Sequence, residues 1–261
     1  MNRKDTICFA NLRKGTGKTT LAAWTALAWA EAGKKVLVVD LDPQGDISRL
    51  FDPFPEKEFV LTIKEDLLDG DPVSYLKTEN PNIRIYPANL KLAAIDKETA
   101  GKEGRETMLA DLLAKIEGFD RVIIDTPPQL GLIADLAANA AGHVVYVVQH
   151  DDTSYDAMHA QEAYLNKYKE NRPEFIGAIL NNFSDDVPKK ELERLRIQCD
   201  GMMEPFIRNI KEPISPKTDV PWKIYDLASV IEGRVSHPRM NSWACHGPAR
   251  PAIKAQADQP K

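Results

Sequence analysis

The sequence NLRKGTGKTT, residues 11–20, lies between an apolar run at Thr6–Ala10 and an alanine-rich helical pattern that begins at Lys18. Glycines allow successive backbone N–H groups to face an anion, and the first turn of a helix adds positive potential. In such a loop the lysine contacts nucleotide phosphates and the hydroxyl after it binds Mg²⁺. The stretch therefore predicts a nucleotide-binding strand–loop–helix unit, with Lys18 at the phosphates and Thr19 at the metal. A basic glycine-rich turn before an ordinary helix is the alternative.

Short runs rich in β-branched residues alternate with helical patterns along the chain. Several runs are apolar throughout, which is typical of strands covered on both faces. This alternation predicts an α/β fold with one doubly wound, mostly parallel sheet and helices on both faces. The predicted strands are Thr6–Ala10, Val36–Asp40, Ile83–Pro87, Arg121–Asp125, His143–Gln149, Ile176–Asn181 and Glu204–Ile207. The predicted helices are Lys18–Ala32, Leu90–Ile95, Glu103–Ile116, Ile133–Ala141, Ser154–Glu170, Pro188–Cys199 and Trp222–Glu232.

Composition is that of an ordinary globular protein: of 261 residues, 43% are apolar and 28% charged. We expect one domain over residues 1–234 and a disordered tail over 235–261, because the tail is rich in proline and poor in aliphatic residues. The formal net charge of −5 does not indicate nucleic-acid binding, although a local basic face can act within an acidic total.

The cysteines and the hydropathy pattern indicate a cytoplasmic location. Cys8, Cys199 and Cys245 are scattered and form no CxxC pair, which favours reduced thiols over a disulfide framework or a zinc site. The N-terminus has no apolar core of a signal peptide. No run approaches the roughly 18 apolar residues that a membrane span requires.

Two acidic segments follow predicted strands. Asp40 and Asp42 belong to DLDPQG at residues 40–45, and Asp125 ends the apolar strand RVIID. Carboxylates at strand ends can hold the waters of Mg²⁺ and orient an attacking water. The alternative for the first segment is that its acids cap a turn, which its proline and glycine would suit.

The loop departs from the usual G-x-x-x-x-G-K-[ST] pattern, because Leu12 stands where the first glycine belongs. It resembles the loop [KR]-G-G-x-G-K-[ST]-[ST] of the ParA/MinD family of partitioning and positioning ATPases. In that family a signature lysine reaches the nucleotide of the partner subunit; Arg13 takes its position here, and Lys14 replaces the first family glycine. A side chain there costs about 1 kcal/mol if φ is positive. Either residue could act in trans, or neither, and a guanidinium favours Arg13.

The resemblance extends to other segments. DLDPQG is similar to the family's DxDPQG switch, which implies that Asp42 positions the attacking water and that Asp40 lies nearer the metal. IIDTPP, with Asp125, is similar to its Walker B segment. Asn181 stands where relatives place an adenine-recognising residue, with a turn-starting Asn as the alternative, and Asn209 lies in a segment similar to the loop over the base.

The resemblance implies these site residues. The catalytic set is Lys18, Asp42, Arg13 and Lys14. The nucleotide-binding set is Gly15, Thr16, Gly17, Lys18, Thr19, Thr20, Asn181 and Asn209. The metal set is Thr19, Asp40 and Asp125, and the cofactors are ATP and Mg²⁺.

ParA-like proteins form ATP-bound homodimers, bind DNA without sequence preference and release it when a partner stimulates hydrolysis. The resemblance implies this function, with a ParB-like or other adaptor as the partner, association with the nucleoid and no membrane. Phosphate neutralisation requires a basic face. Candidate DNA-binding residues are Lys189, Lys190, Arg194, Arg196, Arg208 and Lys211. A solvated helix is the alternative for the first four, since Glu191 and Glu193 interleave.

Three alternatives stay open: a ParA-like positioner of a protein cargo, a metabolic ATP-dependent enzyme of the same fold, and a relative whose altered loop binds nucleotide but hydrolyses it poorly. A membrane-bound MinD-like regulator is disfavoured, because the proline-rich tail lacks an amphipathic helical period. An iron–sulfur reductase is disfavoured because the cysteines do not have a bridging arrangement.

Overall fold

The computed structural model describes residues 2–51, 61–168, 171–182, 202–203, 207 and 220–236. Within this part of the chain, eight strands form one sheet in the order β3-β4-β2-β5-β1-β6-β7-β8. All neighbouring pairs are parallel except β3 and β4. The strands are β1 Thr6–Ala10, β2 Val36–Asp40, β3 Leu76–Lys77, β4 Ile83–Tyr86, β5 Arg121–Asp125, β6 His143–Val148, β7 Glu174–Leu180 and β8 Met202–Met203.

Helices alternate with the strands in the described part of the chain. The α-helices of the described residues are α1 Lys18–Glu31, α2 Asp46–Phe51, α3 Ile63–Asp69, α4 Ile95–Glu98, α5 Met108–Ala114, α6 Leu132–Ala140, α7 Asp152–Leu165 and α8 Trp222–Ser236. Short 3-10 helices span Arg3–Asp5, Leu90–Ala94 and Arg105–Thr107. None of the helices in these ranges is both long and apolar enough to cross a bilayer.

The sheet separates two cores, because alternate side chains of each strand point to opposite faces. On one face, α1 and α8 pack over residues such as Phe9, Val38 and Ile123. The other face is covered by α3, α5, α6 and α7. Burial on both faces explains why the central strands are apolar throughout, and the predicted doubly wound sheet is confirmed.

Helix α1 joins the loop after β1 to the C-terminal helix α8. It has 14 residues, and its side chains from Leu21 to Ala30 are buried. The indole Nε1 of Trp29 donates to the carbonyl of Ala228 at 3.2 Å. Arg121, at the start of β5, pairs with Glu232 of α8, which also accepts from Lys34 at 3.2 Å. These contacts fix α8 against the end of α1 that lies away from the loop.

Several predicted boundaries differ from the structure. The predicted helix to Glu170 ends at Leu165, and the helical pattern at Leu90–Ile95 forms a 3-10 helix, Leu90–Ala94, that continues into α4. Helix α8 continues to Ser236 with Val235 buried, so the expected domain end at 234 falls inside a helix.

Other predicted elements lie wholly or partly outside the described residues. The last strand is described at Met202–Met203, while residues 204–206 of the predicted strand lie outside. The helix predicted at Pro188–Cys199 and the tail from residue 237 also lie outside the described part, so they stay predictions.

Candidate functional site

Parallel strand pairing gathers the predicted site at one edge of the sheet. Asp40 of β2 lies opposite Asp125 of β5, and Asp125 lies opposite Phe9 of β1. The loop after β1 therefore begins beside both carboxylates. The carboxyl ends of parallel strands are the usual ligand-binding edge of an open α/β sheet.

The loop has the backbone of an anion-binding turn. Gly15 and Gly17 have φ values of 81° and 95°, and Gly17 is the N-cap of α1. Lys14 causes no such strain: among the described residues, Asn182 is the one non-glycine residue with positive φ. The glycine that relatives place at residue 14 is therefore not required by φ here.

Lys18 is buried at the first position of α1, and its Nζ donates to the carbonyl of Arg13 at 3.0 Å. Burial lowers the pKa of Lys18, and the charges of Asp125 and Asp42 oppose this effect. The cation therefore faces the acids of β5 and of the segment after β2. From this position a lysine can neutralise the charge of phosphate groups that bind at this edge of the sheet.

Asp125 is a site acid whose charged form is strongly disfavoured by its surroundings. It is fully buried, and neither carboxylate oxygen has a hydrogen-bond partner within the described residues. Burial and the neighbouring Asp40 raise the pKa of Asp125 well above its usual range, and the Thr19 hydroxyl and Lys18 partly offset them. A buried carboxylate that lies near the Thr19 hydroxyl but makes no hydrogen bond of normal geometry fits a hydrated cation, so Asp125 and Thr19 suit the predicted metal role.

Asp40 has a different environment. Its two oxygens accept from the backbone N–H of Asp42 at 2.9 Å and from the N–H and hydroxyl of Ser48. Burial raises the pKa of Asp40 to about 7, against these hydrogen bonds. Asp40 thus organises the turn that carries Asp42, and its proximity to the metal stays a prediction.

Ser48 was not predicted from the sequence. Its hydroxyl donates to Asp40 and accepts from the N–H of Ala88 at 2.9 Å, which links α2 to the segment after β4. A serine eight residues after the acid that ends a strand matches no recognised motif. Only the packing of α2 against the strand end discloses its role.

Asp42 is half-buried, and its side chain accepts from the N–H of Gln44 at 2.9 Å. Its carboxylate lies close enough to Lys18 to favour the charged lysine. This places Asp42 on the same side as the phosphate loop, as a water-positioning role requires.

Arg13 and Lys14 have separate environments. Arg13 forms an ion pair with Asp151 of the same chain, and its backbone N–H donates to Asn11 at 2.8 Å. Asp151 also caps α7 by accepting from the N–H of Ser154. Lys14 is exposed. In the single subunit Arg13 is thus held by its own chain.

The remaining predicted site residues fall into two groups, one at the loop and one outside the described residues. Asn181 lies at the loop, where its amide donates to the carbonyl of Thr16 at 2.8 Å. The residues outside the described part are Asn209 and the six candidate DNA-binding residues Lys189, Lys190, Arg194, Arg196, Arg208 and Lys211.

No group of three or more His, Cys, Asp or Glu side chains in the described ranges is arranged to hold a metal. Mg²⁺ in nucleotide sites usually relies on one or two protein ligands, with phosphates and waters completing its coordination. A site built from Thr19 and Asp125 matches this pattern.

Comparison with known proteins identifies the family of the chain. A family model described as an AAA domain matches residues 4–176. The chromosome partitioning protein ParA of Myxococcus xanthus is 35% identical over 233 residues, covering 85% of this chain and 82% of that protein.

Solved structures share the fold. A cobyrinic acid a,c-diamide synthase from Mycobacterium smegmatis, with bound ATP analogue and magnesium, has a TM-score of 0.77 at 25% identity over 90% of this chain and 96% of its own. A plasmid partition protein from Borrelia burgdorferi has a TM-score of 0.73 at 19% identity, covering 89% and 98%. Family match, relative and site geometry agree, and the chain belongs to the AAA domain family and, within it, to the ParA/MinD-like partitioning ATPases.

Proposed function

We propose that this protein is an ATPase that dimerises on ATP and segregates or positions DNA, with hydrolysis stimulated by a ParB-like or other adaptor protein. The observation that carries the proposal is the buried Lys18 set between the phosphate loop and Asp125, whose carboxylate has no hydrogen-bond partner within the described residues. ATP and Mg²⁺ are the ligands, in agreement with the nucleotide and magnesium bound to the diamide synthase of the same fold.

Each residue at the edge has a role in this function. Lys18 neutralises the phosphates, and the N–H groups from Gly15 to Thr20 surround them. Thr19 and Asp125 would hold the metal, which would supply charge neutralisation when bound. Asp42 orients the water that attacks the terminal phosphate, because it is half-buried beside the loop and close enough for its charge to act on Lys18.

Dimerisation adds a charge from the second subunit. Arg13 is our candidate for the trans-acting residue, because a guanidinium binds phosphate oxygens with several donors at once. Its ion pair with Asp151 must open before it can leave its own subunit. Lys14, which is exposed, is the other candidate.

DNA binding is assigned to the basic residues between 189 and 211, which lie outside the described part. With a formal net charge of −5, the protein as a whole repels DNA, so binding depends on a local basic face. We expect the protein in the cytoplasm and on the nucleoid.

The decisive experiment is binding of the full chain to non-specific duplex DNA with ATP, with ADP and without nucleotide. We expect binding only with ATP, and a steep loss of affinity between 50 and 200 mM salt, by about 10³-fold if six phosphates are contacted. The Lys18→Ala variant is the matched control and should not bind. ATP-independent or salt-insensitive binding would contradict the proposal.

A metabolic ATP-dependent enzyme is the second candidate, since the diamide synthase matches the fold with a TM-score of 0.77. A positioner of protein cargo is the third, because cargo choice does not depend on the nucleotide site. If ATP binds and is hydrolysed but no DNA is retained, these candidates replace DNA positioning.

A further inference from the structure

Two side-chain amides from neighbouring strand ends contact the phosphate loop. Gln149 directly follows β6, and its Nε2 donates to the carbonyl of Gly15 at 2.9 Å. Asn181 directly follows β7, and its Nδ2 donates to the carbonyl of Thr16 at 2.8 Å. Two consecutive loop carbonyls are thus held by side chains from outside the loop.

Holding a carbonyl determines where the next N–H points. A trans peptide is planar and places its C=O and its N–H on opposite sides. The bonds from Gln149 and Asn181 therefore direct the N–H groups of Thr16 and Gly17 away from the two strand ends. Peptides flanked by glycines reorient easily, so without these bonds the loop would lose part of its order.

Both amides stand on a fixed backbone. The N–H of Gln149 donates to the Ser154 hydroxyl at 2.9 Å, and the N–H of Asn181 donates to the carbonyl of Val148 at 2.8 Å. Asn181 also approaches Gly17 closely: a Cβ on Gly17 would lie 2.2 Å from Nδ2. Gly17 is required by its φ of 95°, and a side chain at this position would also displace the Asn181 amide from the loop.

We propose that Gln149 and Asn181 form an amide clamp, a pair of positioning residues that orient the phosphate-binding N–H groups of the loop. The clamp rests on the proposed nucleotide binding. It acts through the phosphates and not through the base, so it makes Gln149 part of the site and gives Asn181 a role other than recognising adenine.

The first test replaces Gln149 by Glu, which is nearly isosteric but cannot donate when ionised. We expect the affinity for ATP and for ADP to fall about tenfold, the scale of one lost hydrogen bond plus repulsion of the Gly15 carbonyl. Gln149→Ala should lose less. Gln129→Ala, at an exposed glutamine that follows β5, is the control and should bind as the unchanged protein does.

Folding is monitored separately, since a structural defect would also weaken binding. Gln149 is only half-buried, so the nucleotide-free Gln149→Glu variant should unfold at the same temperature as the unchanged protein. The ATP-induced rise in Tm should become smaller. Equal ATP affinity in the two proteins would overturn the clamp.

The second test separates clamping from base recognition at Asn181. Competition of ATP and of GTP against a fluorescent ATP analogue gives the affinities of Asn181→Ala. A clamp predicts that both affinities fall by the same factor, about three- to tenfold. A loss for ATP alone, with GTP unchanged, would overturn the proposal in favour of adenine recognition.

The outcomes distinguish the clamp from the function on which it rests. If the unchanged protein does not bind ATP, the proposed function fails. If it binds ATP and Lys18→Ala does not, while Gln149→Glu and Asn181→Ala bind normally, the function stands and the clamp alone is wrong.

Discussion

Lys18 is a buried cation whose charge is balanced by acids from two other segments, Asp125 and Asp42. Replacing it by alanine removes the group that neutralises phosphate. We expect Lys18→Ala to lower ATP affinity by about 100-fold or more, the scale of a lost charge-assisted contact. Calorimetric titration with ATP and Mg²⁺ measures this, and unchanged affinity would contradict the phosphate assignment.

Asp42 lies near the loop, two residues after the end of β2, and its side chain accepts from the N–H of Gln44. Asp42→Ala should bind ATP with nearly unchanged affinity but hydrolyse it about 10²-fold more slowly, because water positioning is lost. The ATP-bound dimer should then accumulate in size-exclusion chromatography with light scattering. Monomers in the presence of ATP and Mg²⁺ would count against this role.

Asp151 holds Arg13 within its own subunit. Asp151→Asn keeps an oxygen that can cap α7 but removes the charge that retains the guanidinium. We expect the variant to dimerise at an ATP concentration several-fold lower, measured by light scattering. The control is Asp156→Asn, an exposed acid on the same helix. An equal shift in both variants would exclude a specific hold on Arg13.

The sequence showed the loop residues and the two acidic segments, because their chemistry is tied to fixed spacings. It did not show Gln149 or Asp151, because their partners lie 134 and 138 residues away in the chain. It did not show Ser48 because a separation of eight residues from Asp40 matches no recognised motif. Gln149, for example, meets Gly15 only because β6 lies beside β1 in the sheet.

At the scale of elements, the central strands could be predicted because burial on both faces requires apolar residues at every position. The sequence did not reveal α2, α3 or β3. Helix α3 did carry a usable signal, a capping box formed by Thr62 and Glu65. Strand β3 has two residues and pairs antiparallel at the sheet edge, which leaves no periodicity to detect.

Helix α8 is held by an ion-pair network around Glu232. Burial alone would raise the pKa of Glu232, but hydrogen bonds from Arg121 and Lys34 outweigh it and lower the pKa. A carboxyl group whose pKa is lower in the folded state stabilises the fold at pH values above its pKa in the unfolded state. This stability is lost as the pH falls through the pKa of the folded state.

We therefore expect Glu232→Gln to reduce the free energy of unfolding at pH 7 by about 1–2 kcal/mol. The difference should shrink as the pH falls below about 4.5, the ordinary pKa of glutamate. Glu98→Gln, which removes a more exposed partner of Lys64, is the control and should cost under about 1 kcal/mol. Chemical denaturation across pH measures both, and a pH-independent loss would point to packing alone.

At the scale of the whole molecule, the buried acids at the nucleotide-binding edge of the sheet reduce the stability of the folded state. The pKa of Asp40 is raised to about 7 and that of Asp125 is raised well above its usual range, mainly by burial. A raised carboxyl pKa means that the folded state holds protons that the unfolded state releases. Stability contributed by these acids is therefore lost as the pH rises from about 4 through 7.

The expected outcome is that nucleotide-free Asp125→Asn is more stable than the unchanged protein at pH 8, by on the order of 2 kcal/mol. The advantage should vanish at pH 4. Thermal unfolding at both pH values measures it. A variant less stable at pH 8 would show that the ionised Asp125 is compensated in the free protein.

The contact between Trp29 and Ala228 has a practical consequence. Fourteen helical residues span about 21 Å, so a small tilt of α1 at the loop produces a larger displacement at its far end. The indole stands there, hydrogen-bonded to a second helix, and its emission is sensitive to the loss of that bond. We therefore expect the emission of Trp29 to report any tilt of α1 on nucleotide binding, without an attached dye.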